Sequence, residues 1–253
     1  MIDLRQGRYQ DTLSDVTCDA LIVDAPYSAR THKGHAAAVG RLGVPNDIGY
    51  GYWTPETVAE FVQFWHPRVR SWFVTITDHV LGRSWEDALQ ASGRYVFPPV
   101  PWINPAMSCR KSGDGPASST CHIVVARPKE KRFLGWGSLP GWYNVAGAKS
   151  SVVVGAKPTA LMEALVRDYS RPGDIVCDPC AGGGTTLLAA SKLGRDAIGS
   201  EMDAETHHKA SVRLGLRAPT AEDAAWLYKR GGEDKGTEGL PMFTCAESPT
   251  VAE

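Results

Sequence analysis

Between Ile175 and Thr186 the chain runs from the apolar Ile175-Val176-Cys177 through Asp178-Pro179-Cys180-Ala181 into Gly182-Gly183-Gly184 and then Thr185-Thr186. No other stretch restricts the fold so tightly. A strand that ends on an acid, turns on glycine and enters a helix is half of a βαβ unit, because glycine lets the backbone turn sharply and approach a ligand closely. The helix behind it, Thr185 to Leu193, presents unpaired N–H groups at its start. The next strand begins at Asp196-Ala197-Ile198-Gly199 and closes on Glu201, 23 residues after Asp178. An acid at that distance suits a ribose hydroxyl, so the segment points to an adenosine-type ligand. The Gly-x-Gly-x-x-Gly spacing of dinucleotide sites is not met; a dinucleotide and S-adenosylmethionine both stay open on these residues alone. Cys177 and Cys180 have the spacing of a redox pair, but the glycine turn accounts for the segment better.

The same alternation extends along the chain. Asp19 to Asp24 is apolar through Ala20-Leu21-Ile22-Val23 and stops at Asp24-Ala25-Pro26, as a strand buried on both faces does. A polar, glycine-rich loop is expected from Ser28 to Tyr52. Thr54-Pro55-Glu56 starts a helix in which Val58, Phe61, Val62 and Trp65 repeat at helical spacing, ended by His66-Pro67. Trp72 to Thr77 predicts a strand, Arg83 to Ser92 a helix closed by Gly93, and Tyr95-Val96-Phe97 and His122 to Ala126 two more strands. Pro98 to Thr120 reads as irregular, and Arg127 to Gly155 shows little periodicity. From Lys157, Met162, Leu165, Val166 and Tyr169 mark a helix broken at Pro172-Gly173-Asp174, and a last helix is expected from Ala204 to Leu214. The pattern is that of an α/β fold, a doubly wound, mostly parallel sheet with helices on both faces. A single domain over 1–216 is expected, with a short recognition insertion around 98–156. The tail 217–253 carries four Lys/Arg against seven Asp/Glu, and its end is expected to be disordered.

Composition narrows the function classes. Net charge is −1, so a polyanion partner would require basic residues gathered on one face. The apolar runs are too short to span a bilayer, and Met1-Ile2-Asp3-Leu4-Arg5-Gln6 does not have the layout of a signal peptide; a cytoplasmic protein without membrane contact is expected. His32 and His35 stand in a polar stretch without the partners zinc requires, and no metal is expected.

A second constellation, Asp24-Ala25-Pro26-Tyr27, lies at the carboxyl end of a buried strand, where open α/β sheets place their sites. Methylating an aromatic amine is difficult because the nitrogen lone pair is delocalised into the ring. Asp24 and the carbonyl preceding Pro26 could accept the two N–H bonds and localise that pair, while the Tyr27 ring offers a face on which a base can stack, worth about 1–3 kcal/mol. Taken together and in this order, the two constellations resemble the β-type, permuted S-adenosylmethionine-dependent DNA amino-methyltransferases. Asp19 to Tyr27 looks like their catalytic strand and loop, Lys157-Pro158-Thr159-Ala160-Leu161-Met162 like the helix before the cofactor strand, and Asp178 to Thr186 with Leu193 to Glu201 like the cofactor turn and acidic strand end. The resemblance implies a class I methyltransferase-like Rossmann fold. It assigns catalysis to Asp24, Ala25, Pro26 and Tyr27, and S-adenosylmethionine binding to Asp24, Lys157, Asp178, Cys180, Ala181, Gly182, Gly184, Thr185, Thr186, Glu201 and Met202. Three positions depart from the family. Ala25 replaces its usual second-position proline, Cys180 stands where phenylalanine is common, and Arg8 lies where an aspartate often follows glycine.

The resemblance also implies DNA as partner and extrusion of the target base. Arg30, Lys33, Arg110, Lys111, Arg127, Lys129, Lys131 and Arg132 are the candidate DNA contacts. An Asp-first motif leans within the family toward N6 of adenine over N4 of cytosine. Methylation of RNA or a small molecule, and a nucleic-acid-binding module without activity, are the rival readings. C5 methylation of cytosine would need a nucleophilic cysteine; Cys18 and Cys109 are not in a Pro-Cys context, and Cys180, which is, belongs to the cofactor turn. A homodimer is compatible with these residues.

Overall fold

The computed structural model describes residues 1–37, 51–105, 119–129, 136–147, 153, 155–223 and 226. In chain order its elements begin with β1 (Ile2–Gln6), α1 (Tyr9–Thr12), β2 (Cys18–Asp24), α2 (Ala29–Ala37), α3 (Pro55–Trp65) and β3 (Val69–Thr77). Next come α4 (Gly82–Ala91), β4 (Arg94–Val96), β5 (Val100–Ile103), β6 (Thr120–Pro128) and β7 (Tyr143–Asn144). The chain continues through α5 (Thr159–Tyr169), β8 (Ile175–Asp178), α6 (Thr185–Lys192), β9 (Asp196–Glu201) and α7 (Ala204–Arg213).

Adjacent residues of β2 belong to different cores, since side chains alternate across a strand. Ala20 and Ile22 pack with Trp72, Val74 and Ile76 of β3 and with Leu161, Met162, Leu165 and Val166 of α5. Leu21 and Val23 pack on the other face with Phe73, with Val58, Phe61, Val62 and Trp65 of α3, and with Trp85 and Leu89 of α4. Two buried faces explain the unbroken apolar run. The helix over 55–65 starts as its sequence predicts: Thr54 is extended and its hydroxyl accepts from the Thr57 N–H at 3.4 Å, with Pro55 in the first turn.

The strands form one sheet in the order β1-β9-β8-β2-β3-β6-β5-β7, with β4 also paired to β6. From β1 to β3 every pairing is parallel; β6 runs antiparallel to β3, β4 and β5. The mostly parallel, doubly wound expectation holds. From β8 the chain moves to β9 on one side, and from β2 it moves to β3 on the other. The seam between β8 and β2 is therefore the switch point of the sheet, and the crevice outside the carboxyl ends of those two strands is the place where such sheets bind ligands.

Three expectations need correction. Residues Ala29–Ala37, placed in a polar loop, form α2; Asp78 at the end of β3 accepts from Ser28 and Thr31 and holds its first turn. The irregular reading of 98–120 overlooked β5, whose alternation of buried Val100 and Trp102 with half-buried Pro101 and Ile103 is short and flanked by prolines. β1 was not expected either: Ile2 and Leu4 alternate with Asp3 and Arg5 over only five residues at a sheet edge. Residues 106–118, 130–135, 148–152 and 154 of the insertion expected around 98–156, and 224–225 and 227–253 of the tail, lie outside the described residues.

Candidate active site

Both sequence constellations meet at the switch point. β2 and β8 pair in parallel with Leu21 opposite Cys177, so their terminal acids, Asp24 and Asp178, rim one crevice. The Asp24 side chain is 25% exposed and Asp178 is 2% exposed. Lys157 Nζ donates to Asp24 Oδ2 at 2.6 Å, and the Tyr27 hydroxyl donates to Asp24 Oδ1 at 3.1 Å. The same ammonium lies 4.9 Å from the centre of the Tyr27 ring. Burial pushes the Asp24 carboxyl up from its ordinary value, with Lys157 and the Tyr27 hydroxyl opposing. Burial likewise raises the Tyr27 phenol well above its ordinary value. Ala25 is 2% exposed and joins the core on the α3 side, which is why a small apolar residue serves at that position.

The cofactor turn is built by backbone geometry. Gly182 (φ 51°) and Gly184 (φ 75°) adopt left-handed conformations that cost other residues on the order of 1–2 kcal/mol. A methyl at Gly184 would also sit 2.9 Å from Leu214 Cδ1. Glu201 holds this turn in place: its Oε2 accepts from the Gly182 N–H at 2.9 Å and its Oε1 from the Asp203 N–H at 2.8 Å. Ala181 N–H donates to Ser200 O at 2.9 Å, and the Cys180 N–H donates to Asp178 Oδ1 at 3.1 Å. Thr185 and Thr186 are buried. Thr185 Oγ1 accepts from Arg213 at 2.8 Å and Thr186 bonds Asp178, so these two support the turn from behind. Met202 is 61% exposed on the rim.

Asp24, Asp178 and Glu201 crowd one crevice. Burial, against hydrogen bonds from Thr186 and the Cys180 N–H, pushes the Asp178 carboxyl up to about 7, and Asp24 and Glu201 push the same way. Burial raises Glu201 as well, opposed by the N–H groups of Asp203 and Gly182. Acids kept above their ordinary values by burial and by one another are relieved by a cation.

Of the eight candidate nucleic-acid contacts, Arg30, Lys33, Arg127 and Lys129 are among the described residues. Arg30 and Lys33 are exposed on α2, directly after Tyr27 and at the catalytic end of the sheet. Because β6 runs antiparallel to β3, with Thr77 opposite His122 and Phe73 opposite Ala126, Arg127 and Lys129 lie toward the amino end of β3. That is about 17 Å or more down the sheet from the catalytic end. The Arg127 guanidinium stacks over Tyr95 and Phe97 at 5.0 and 5.7 Å. Arg110, Lys111, Lys131 and Arg132 lie outside the described residues.

Two residues here escaped the sequence reading. Asp78, 7% exposed, accepts from the Ser28 N–H and hydroxyl, the Thr31 hydroxyl and the N–H groups of Val80 and Leu81; burial raises its carboxyl, but these bonds outweigh that and hold it below its ordinary value. Cys121 on β6 lies 3.9 Å from the Tyr27 hydroxyl. The aspartate after an apolar strand was the available signal for Asp78; Cys121 gave none.

Comparison with known proteins fits this geometry. Residues 136–212 match the protein-family model described as DNA methylase. Over 134 residues, 50% of this chain, the sequence is 31% identical to the type II methyltransferase M.HindIII of Haemophilus influenzae, and the match spans 42% of that protein's length. The crystal structure of M1.HpyAVI in complex with SAM superposes with a TM-score of 0.63 at 21% identity, covering 85% of this chain and 100% of that one. The cytosine-N4-specific PvuII DNA methyltransferase superposes with a TM-score of 0.62 at 16% identity, covering 90% and 92%. At these identities the two structures establish a shared fold.

Proposed function

We propose that this chain, a member of the DNA amino-methyltransferase family, transfers a methyl group from S-adenosylmethionine to an exocyclic amino group in DNA, with N6 of adenine as the target. The observation that carries the reading is the meeting of Asp24 and Tyr27 with the Asp178-to-Glu201 turn at the β2/β8 seam, although the two segments are far apart in the chain. The residues present fit the cofactor. Its positive charge suits the raised carboxyls of Asp178 and Glu201, and its adenosine needs the close backbone approach that Gly182 and Gly184 give. Gly199 lets β9 pack closely behind this turn, since a methyl there would lie 2.9 Å from both Asp178 O and Leu187 Cδ1. Asp178, Glu201, Lys157 and the 180–184 backbone would hold it, with Met202 on the rim.

When bound, S-adenosylmethionine supplies an electrophilic methyl carried on a sulfonium sulfur. Asp24 and the Ala25 carbonyl accept the two N–H bonds of the target amine and localise its lone pair, and Asp24 takes the proton released. The raised Asp24 carboxyl is suited to that task. Tyr27 stacks on the extruded base, and Pro26 fixes the turn between acceptor and ring. All these groups come from one chain. The preference for adenine rests on the Asp-first motif. Among the described residues no helix is long and apolar enough to cross a membrane. The reading puts the protein in the cytoplasm, where DNA and cofactor meet; the thiols of Cys18, Cys121, Cys177 and Cys180 agree with a reducing compartment. Mass spectrometry of nucleosides from DNA and RNA incubated with the protein and cofactor tests the assignment. N6-methyladenine in DNA is expected. N4-methylcytosine would change the base, a product in RNA alone would change the substrate, and 5-methylcytosine would overturn the mechanism.

Two further outcomes follow. Glu201→Ala removes the ribose acceptor and frees the Gly182 N–H, and should weaken S-adenosylmethionine binding by roughly 1.5–3 kcal/mol; unchanged affinity in calorimetry would sink the cofactor assignment. Charge reversal at both Arg30 and Lys33 should lower the slope of log K against log salt by about two units, one per lost phosphate contact. Reversal at Lys129, at the opposite end of the sheet, should leave that slope unchanged. The reverse pattern would move the DNA surface to the β6 end.

A further inference from the structure

Lys157 engages both working parts of the catalytic motif at once. Its ammonium donates to Asp24 Oδ2 at 2.6 Å and lies 4.9 Å from the centre of the Tyr27 ring, while the Tyr27 hydroxyl donates to Asp24 Oδ1. Both carboxylate oxygens therefore carry a donor, and the stacking ring has a cation beside it. A substrate amino group needs that acceptor and that ring. The Lys157 N–H on Oδ2 makes the contact that the amino group of an extruded base would make. The side chain is 10% exposed, and separating a partly buried pair leaves each charge poorly solvated unless another partner takes it over. Lys157 also donates to Gly155 O at 3.3 Å, toward the rim, and its flexible four-carbon stem lets the ammonium change partners without backbone movement.

We propose that Lys157 is a positioning residue that closes the base slot of the empty protein by standing in for the target amino group on Asp24. The carboxylate on the amino-acid part of the cofactor opens the slot by drawing the ammonium to itself. This rests on the functional reading above and adds an order to it: cofactor first, extruded base second. The exchange is balanced, since the ammonium passes from one carboxylate to another and Asp24 is left, still ionised, to accept from the incoming amine. No bond is made or broken beyond hydrogen bonds.

The test uses the whole protein and a duplex carrying the methylated sequence, with a fluorescent analogue at the target base: 2-aminopurine for adenine or pyrrolocytosine for cytosine. With wild type, saturating S-adenosylhomocysteine should raise the extrusion signal at least fivefold over the protein–DNA complex alone. 5′-Methylthioadenosine, which keeps the adenosine and lacks the carboxylate, should not. Lys157→Met should extrude the base to the same extent with or without either compound. Equal wild-type signals with and without S-adenosylhomocysteine, or an equal rise with 5′-methylthioadenosine, would overturn the proposal, and neither comparison depends on the variant folding. Either outcome removes this proposal alone, whereas absence of any methylated base in the nucleoside experiment removes the functional reading and the proposal together.

Discussion

Asp24→Ala should cost methyl transfer on the order of a thousandfold while leaving cofactor affinity within a few fold. The asymmetry follows from what the carboxylate touches. Asp24 faces Lys157 and Tyr27, whereas the turn that would hold the cofactor is anchored by Glu201 and Asp178. The variant loses the acceptor that localises the amine lone pair and keeps the cradle. Asp24→Asn sharpens the test, because it preserves shape but supplies one acceptor and an N–H₂ that meets the substrate amine donor to donor. It should stay at least a hundredfold below wild type. Single-turnover rates with radiolabelled cofactor, beside calorimetry of cofactor binding, separate the two effects. Near-normal turnover in either variant would refute the mechanism.

Asp78→Ala should be the most damaging change outside the catalytic motif. One buried carboxylate ties the start of α2 to the end of β3 through Ser28 and Thr31, and caps the turn through Val80 and Leu81. Its removal strands the Ser28 and Leu81 N–H groups together, for a loss of about 3 kcal/mol, or roughly 6–12 °C in Tm for a domain of this size. Turnover should fall too, because Ser28 directly follows Tyr27 and the motif loses its anchor. The pH dependence has a definite sign. Asp78 titrates below its ordinary value in the folded state, so its contribution is complete above the unfolded carboxylate range near pH 4 and is lost as pH falls through the folded value. Acid melts of wild type should therefore converge on those of Asp78→Ala below pH 4. An unchanged Tm at neutral pH would contradict the role assigned to this residue.

The strands and helices that position the site were legible because their signals are local. A strand buried on both faces reads as an unbroken apolar run, as at Ala20 to Val23, and Thr54-Pro55 names the helix start that the structure uses. Short strands carry weaker marks: β1 has five residues and β5 only four. Tertiary partners leave no local mark at all. Asp78 is bound to residues some 50 positions earlier, and α2 was missed because that clasp, rather than its own polar sequence, fixes its start. The basic residues are hard to place from sequence for a related reason. Counting charge from Arg110 to Arg132 pooled residues on either side of β6, and a strand's sequence does not say which of its ends will face the catalytic crevice.

The position of β8 and β9 has a consequence for how the chain is made. β1 and β2 are neighbours in sequence, Gln6 and Cys18 being their facing ends, yet two strands synthesised some 150 residues later are wedged between them. Until residue 178 has emerged, β2 has an open edge at Ala20 and Leu21, the residues that β8 later pairs, in an apolar segment able to pair with another chain. Closing the seam then requires a loop such as that between Asp24 and Lys157, 133 positions apart, a slow, non-local step. The nascent chain is thus prone to aggregate until β8 has been made. The proposed site likewise forms only when that edge disappears, because Asp24 and Asp178 stand on its two sides.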